Sequence, residues 1–257
     1  MIHPAALVDP AADLAADVEI GPFAIVEGGT ALGSGCRVEA HGQVLRGVRM
    51  GRNNLVGRAA IIGGDPQSLG FDRATISGVR IGDGNSFREH VTVHRSVMKD
   101  GATIIGNNNF LMAGAHLGHD ALLGNESVLA NAVLIAGHVT IGDRCFLGGG
   151  SAFHQFIRIG DLAMVQGNSA VSQDVPPYCT VCLINQVEGL NSVGLRRAGI
   201  DSQARLEIKR AFSAVYFSTL GPTRAAAQAL QEREWSEPAS KFLQFFASAG
   251  PKGIVSR

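Results

Sequence analysis

Aliphatic residues recur every six positions along most of this chain. Stepping by six from Ile2 meets Val8, Leu14, Ile20, Val26, Leu32, Val38, Val44, Met50, Val56 and Ile62. Stepping from Ile105 meets Leu111, Leu117, Leu123, Leu129, Ile135, Ile141, Leu147, Phe153, Ile159, Val165 and Val171, and Ile81, Phe87 and Val93 keep the phase of this second run. The next position is often glycine, as at Gly21, Gly33, Gly118 and Gly142, and the fifth is small or β-branched, as at Ala24, Cys36, Ala115 and Cys145. An amphipathic helix needs apolar spacings of three and four, and an alternating strand a spacing of two. A strict six fits neither, so each hexad reads as a short strand with a turn, the signature of a parallel β-helix.

The phase breaks twice, at 64–73 ("GDPQSLGFDR") and 96–102 ("SVMKDGA"), both read as loops leaving the wall. Past about residue 188 the sixes stop and helical signals begin. Asp201 precedes a run with Leu206, Ile208, Phe212, Val215 and Leu220 that "GP" closes, and the stretch 225–230 and "FLQFFASAG" predict two more helices. The pattern resembles the hexapeptide-repeat acyltransferases. That resemblance implies three hexads per triangular, left-handed coil of 18 residues, with coils stacked about 4.8 Å apart. The expected fold is therefore mainly β: a left-handed parallel β-helix over 1–187 and an α-helical C-terminal domain over 188–257. Such a domain would cover the open end of the stack, where strands otherwise present unpaired backbone.

Charge adds a direction. Lys plus Arg and Asp plus Glu both total 22, which removes a whole-chain electrostatic case for nucleic acid. Residues 192–257, however, hold ten basic and five acidic residues against twelve and seventeen in 1–191, an arrangement suited to an acidic macromolecule docking at the tail. No leader-like opening and no apolar run of about 18 residues is present, so a cytoplasmic protein without stable membrane insertion is expected. Four cysteines fit a reducing compartment rather than a disulfide framework.

"GAHLGHD" at 114–120 sets two histidines and an aspartate into this wall. With 18 residues per coil, Asp120 lies beneath His138, and His119 beneath Gly137 and then Gln155, with His154 beside it. A β-helix face tolerates isolated polar residues anywhere, but several histidines stacked on adjacent coils exceed that. The other histidines, His3, His41, His90 and His94, show no comparable stacking apart from the pair His90 and His94. A neutral imidazole takes a proton near working pH, an adjacent carboxylate holds its tautomer, and a backbone N–H stabilises an oxyanion. A thioester donor needs no covalent enzyme intermediate, which suits a wall where Cys36 and Cys145 occupy the small structural position.

At "NNNFLMAGAHLGHDALLGN", "LANAVLIAGHVTIGD", "SAFHQF" and "SQDVPPY" the chain closely resembles the UDP-N-acetylglucosamine O-acyltransferase family, whose reaction opens lipid A synthesis. The resemblance implies a homotrimer that moves a 3-hydroxyacyl chain from acyl carrier protein to a UDP-amino sugar, with no cofactor or metal. It implies His119 as general base, Asp120 as its orienting partner and the Gly137 amide as oxyanion donor. His116, His138, His154, Gln155, Asn191 and Arg197 would line the cleft, with Ser68 and Gly70 near the sugar. Met164 and Gly167 would border the acyl chain, glycine leaving room for a long one.

The chain departs from the family pattern at several of these places. Asp-x-Lys-Tyr becomes Ser68, Gly70 and Phe71, and Asn-x-Glu-Gly becomes Asn191-Ser192-Val193-Gly194. The second arginine of a basic pair is Ala198, and Gln186 stands where a histidine is common. A lost charged hydrogen bond costs about 1.5–3 kcal/mol, so a different nucleotide sugar, including one offering an amine, is an open alternative. Coenzyme A as donor, a γ-carbonic-anhydrase-like zinc site of His116, His119 and His138, and a non-catalytic carrier-binding trimer also stay open. The "CTVC" at 179–182 is a lone CxxC and reads as structural.

Overall fold

The computed structural model describes residues 1–248 and 250–257. Its body is a left-handed parallel β-helix of triangular section. Three sheets of nine, eight and ten short strands form the walls: the first from Leu7–Val8 to Ala170–Val171, the second from Asp13–Leu14 to Arg158–Ile159, the third from Glu19–Ile20 through Cys179–Cys182. Up to Cys179–Cys182 each strand pairs in parallel with the strand one coil away, as Leu117 with Ile135 and Ile135 with Phe153. This is the eighteen-residue register.

The aliphatic position of each hexad points inward. From Ile20 to Val171 these residues are all buried, whereas Ile2, Val8 and Leu14 stay partly or largely exposed because the first coil has nothing beneath it. The fifth position is also internal. Where it is asparagine, at Asn54, Asn85 and Asn109, the amides form a ladder: the carboxamide oxygens of Asn54 and Asn85 each accept the backbone N–H and the amide of the next coil's asparagine, and that of Asn109 accepts the Ser127 N–H. Buried polar groups are thereby satisfied rather than left at a cost of about 1–3 kcal/mol each.

The chain leaves the wall after Gly64 and rejoins it at Gly78, so Ile62 pairs with Val93. It leaves again after His94 and rejoins at Ala102, so Ile81 pairs with Ile105. The first excursion thus runs four residues further than its polar composition alone marks.

The last wall strand folds back antiparallel as Gln186–Leu190, and among the described residues four helices follow: α1 (Ser192–Arg197), α2 (Ser202–Tyr216), α3 (Pro222–Glu232) and α4 (Glu237–Ala247). Asp201 caps α2 by accepting from the Ala204 N–H at 2.9 Å. The aromatic residues scarce in the wall concentrate here, with Phe212, Phe242 and Phe246 packed together and Tyr216 against Phe212 and Phe246. The tail then returns to the stack, bridging Ile254 to Asp174 and Ser256 to Gln186, which extends the edge of the last coil. Lys241 of α4 pairs with Asp161, and Arg158 donates through Nε to buried Asp174 at 2.9 Å. No described helix is long and apolar enough to cross a membrane.

Candidate active site

The wall turns from the first sheet to the second between strands His116–Leu117 and Leu122–Leu123. Asp120, His138 and Phe156 occupy the same corner on three successive coils, with φ of 58°, 60° and 67°. Left-handed backbone at a non-glycine residue costs on the order of 1 kcal/mol. At Asp120 it is offset in part by the Asp120 N–H donating to Thr103 Oγ1 at 2.8 Å.

The Asp120 carboxylate is held from three sides. Oδ1 accepts from the Ser96 hydroxyl, and Oδ2 accepts from the Val97 N–H at 3.1 Å and from His119 Nδ1 at 2.9 Å. Burial pushes this carboxyl up, but the hydrogen bonds from Ser96, His119 and Val97 outweigh it and leave it below the ordinary value. An ionised Asp120 assigns the His119 proton to Nδ1 and leaves a lone pair on Nε2, which makes no hydrogen bond with the described residues. The His119 ring lies over Gly137: a Cβ there would stand 2.6 Å from Cε1 and Nε2. The Gly137 N–H has no acceptor among the described residues. His138 meets His119 edge-on, with centroids 5.0 Å apart, and stacks on Phe156 at 4.6 Å.

A second pair lies on the adjoining face. His116 shares a 2.8 Å hydrogen bond between Nδ1 and Thr92 Oγ1, and His94 packs edge-on against it at 4.7 Å. Burial first, and then neighbouring His116 and His119, pushes the His94 imidazole down to about 4. Burial lowers His116 as well. Both are therefore neutral at physiological pH. Here the structure corrects the expectation that His94 stands apart. Crossing the second excursion, residues pair at 24 rather than 18, as Thr92 with His116 and Val93 with Leu117. The same offset sets Ser96 against Asp120, so counting 24 across this loop is the signal that would have found His94, Thr92 and Ser96. Gln155 follows Gly137 on the corner column and is exposed, as is His154, whose Nδ1 lies 3.1 Å from the Gln155 carbonyl.

The remaining sequence-marked residues lie elsewhere in the chain. Ser68 and Gly70 are exposed on the first excursion, and a Cβ at Gly70 would meet open space. That loop is clamped by Arg95, which donates to Asp65 Oδ1 at 3.0 Å, Ser77 Oγ at 3.0 Å and the Arg73 carbonyl at 3.0 Å, with its guanidinium 4.8 Å from the Phe71 ring centroid. Asn191, Arg197 and Met164 line a groove of about 900 Å³ between the outer face of the third sheet and α1, together with Phe146, Leu190 and Val193. Asn191 Oδ1 caps α1 by accepting from Gly194 N at 2.9 Å, and its Nδ2 donates to the Leu162 carbonyl at 2.8 Å. Its amide is thus engaged in holding the groove's rim. Gly167 is exposed at the neighbouring corner, where an added Cβ would lie 3.0 Å from the Gly149 carbonyl oxygen.

His119, Asp120 and His138 offer ligand atoms within 4.8 Å of one another. The carboxylate, however, is already filled by Ser96, Val97 and His119, and His116 turns Nδ1 toward Thr92 rather than into this trio. The donor set favours an acid–base unit over a three-histidine zinc site. Three of the four thiols are not alternatives: burial pushes Cys145 up to about 12 and raises Cys179 and Cys36 as well.

Comparison with known proteins places these features in a context. Residues 174–255 match the family model described as UDP-N-acetylglucosamine O-acyltransferase, domain 2. The chain is 40% identical over 262 aligned positions to an acyl-(acyl-carrier-protein)–UDP-N-acetylglucosamine O-acyltransferase of Janthinobacterium sp. (strain Marseille), covering 99% of each. Its structure is similar to a UDP-N-acetylglucosamine acyltransferase from Campylobacter jejuni, with a TM-score of 0.94, 34% identity and full coverage of both chains. It is also similar to the Francisella novicida enzyme of that name, with a TM-score of 0.95, 31% identity, and coverage of 100% of this chain and 94% of that one.

Proposed function

Because this chain belongs to the UDP-N-acetylglucosamine O-acyltransferase family, we propose that it transfers an acyl chain from acyl carrier protein to the hydroxyl of a UDP-amino sugar with His119 as general base. The observation that carries the assignment of the base is the Asp120–His119 Nδ1 bond, which leaves Nε2 unpartnered above the free Gly137 N–H. Nε2 takes the acceptor's proton as its oxygen attacks the thioester carbonyl, and the oxyanion of the tetrahedral intermediate is received by the Gly137 N–H. Collapse expels the carrier's thiolate, which recovers the proton from the imidazolium. An ester and a free carrier thiol result. His116, His138, His154 and Gln155 border the reacting groups, and neutral His94 and His116 add no positive charge that would disfavour protonation of His119.

The cluster lies at the corner between the first and second sheets, whereas the groove with Asn191, Arg197 and Met164 lies on the third. Joining them needs a second copy, and a cyclic homotrimer presents each corner to a neighbour's groove. Exposed apolar residues on the outer faces, Leu134 at 50% and Phe146 at 41%, support such a contact. The basic tail suits the acidic carrier protein, and a cytoplasmic location follows from these substrates. Turnover of UDP-N-acetylglucosamine with 3-hydroxyacyl carrier protein, measured with light scattering for oligomeric state, tests the reading; absence of transfer by a trimer would overturn it.

Val193, 48% exposed on the groove, supports a second reading in which acceptor recognition is altered. An apolar side chain there, with Ser68 and Gly70 on the loop, withholds charges from the sugar. Under this reading an amino-bearing UDP-sugar is turned over faster than UDP-N-acetylglucosamine in direct competition.

A further inference from the structure

The outer face of the second sheet carries an unmet charge. Arg49 and Arg80 are direct partners in the parallel ladder, both exposed, one coil apart. Like charges set opposite each other on a sheet face are destabilising. Elsewhere in the wall stacked charges alternate or are compensated: Glu19 pairs with Arg37 and Glu126 with Arg144, both at 3.0 Å. Even the acidic neighbours Asp143 and Asp161 are served by donors, Asp143 by the Asn125 N–H and amide, Asp161 by the Asp143 N–H and Lys241. Arg49 and Arg80 have no carboxylate partner among the described residues, and neither has the side chain of nearby Arg46.

These three arginines line a groove of about 870 Å³ whose other side is the returning limb of the first excursion, Arg73 to Gly78. Asp65 at its rim is already occupied by Arg73 and Arg95. Glu27 accepts from the Arg46 backbone N–H at 2.9 Å, so with Asp100 only two carboxylates face three free guanidinium groups. A volume of this size falls in the range of small-molecule sites, and paired guanidiniums a sheet spacing apart match the forked acceptor geometry of phosphate.

We propose that this groove is a second ligand site, separate from the corner cluster, that binds a phosphoryl dianion between Arg49 and Arg80 with Arg46 as a third donor. The dianion removes the like-charge repulsion in the ladder and braces the limb of the loop that carries Ser68 and Gly70. Free phosphate and the phosphoryl group of a sugar phosphate share this chemistry.

The test is thermal unfolding of the full chain in phosphate-free buffer, titrated separately with inorganic phosphate and glucose 6-phosphate, against sodium chloride at equal ionic strength. The wild type is expected to show a saturable rise in Tm beyond the salt control, the more effective anion identifying the source. The double variant Arg49→Gln/Arg80→Gln is expected to lose this rise, with apparent affinity weakened at least about tenfold per arginine, and to melt no lower than wild type without phosphate. Acyl transfer in phosphate-free buffer stays unchanged in the variant, so this result is independent of the proposed reaction. No rise beyond the salt control, or an equal rise in the variant, overturns the site.

Discussion

The corner cluster and the groove beneath α1 are built on opposite principles. At the corner both carboxylate oxygens of Asp120 have partners inside the chain, and the imidazole it orients rests on a glycine with no room for a methyl group. In the groove, Asn191 serves the fold, Arg197 has no carboxylate partner among the described residues whereas Arg144 pairs with Glu126, and Phe146, Met164 and Val193 present open apolar surface. Under the proposed function the reacting groups are preorganised within one chain, while recognition is left to whatever surface closes the groove. Reactivity and acceptor choice should therefore respond to different substitutions.

Removing the imidazole is expected to have the largest effect. His119→Ala should lower kcat by about 10²–10⁴-fold, the usual range for a general base, with folding verified by circular dichroism; unchanged turnover would show that the corner is not the reacting centre. Gly137→Ala comes next. A methyl group 2.6 Å from the ring must displace it, and misplacement near 1 Å costs about 10²-fold, so kcat should fall while Tm moves little.

Two titration experiments then separate the cluster's charges. His94 is buried neutral with its imidazole pushed down to about 4 from 6.5. Between those values the unfolded chain binds the extra proton, so stability is full above about 6.5 and falls as the pH drops toward 4, by up to about 3 kcal/mol. His94→Phe should flatten that stretch of the Tm–pH curve. Asp120 acts in the same sense but in a lower pH window, its carboxyl being held below 3.8 in the folded chain. Its contribution is present above that value and is lost as the pH falls through the folded one. Ser96→Ala should lower stability by about 1.5–3 kcal/mol at pH 7, with the gap from wild type narrowing below about pH 4.

Val193→Glu should have the smallest effect, a shift in KM for UDP-N-acetylglucosamine of about tenfold or less with kcat held, since one charged contact at a partly exposed rim is worth about 1 kcal/mol. A fall in KM sharpens the contrast between corner and groove. A change confined to kcat would break it.

The repeat was legible because burial repeats with the coil: each aliphatic sixth residue from Ile20 onward does point inward. His119, Gly137 and Gln155 were legible as a column for the same reason, since register there is uninterrupted. His94, Thr92 and Ser96 were not, because an excursion shifts the count to 24 and no local pattern announces where the wall resumes. Helix α1 escaped a distinct assignment because it is short, six residues held by the Asn191 cap, and its signal lies in that cap rather than in periodicity.

The period by itself determined a parallel β-helix and its aliphatic interior, because a repeating strand–turn unit turns the same positions of every hexad inward; the vertical alignment of the corner histidines came with the eighteen-residue coil that the family resemblance implies. Only the tertiary structure decided that Ser96 and Val97 reach across a loop to hold Asp120, that Asn191 is committed to a helix cap, and that Arg49 and Arg80 face each other unpaired. Those outcomes depend on where two excursions rejoin the wall, and rejoining is settled by packing and hydrogen bonding between segments distant in the chain.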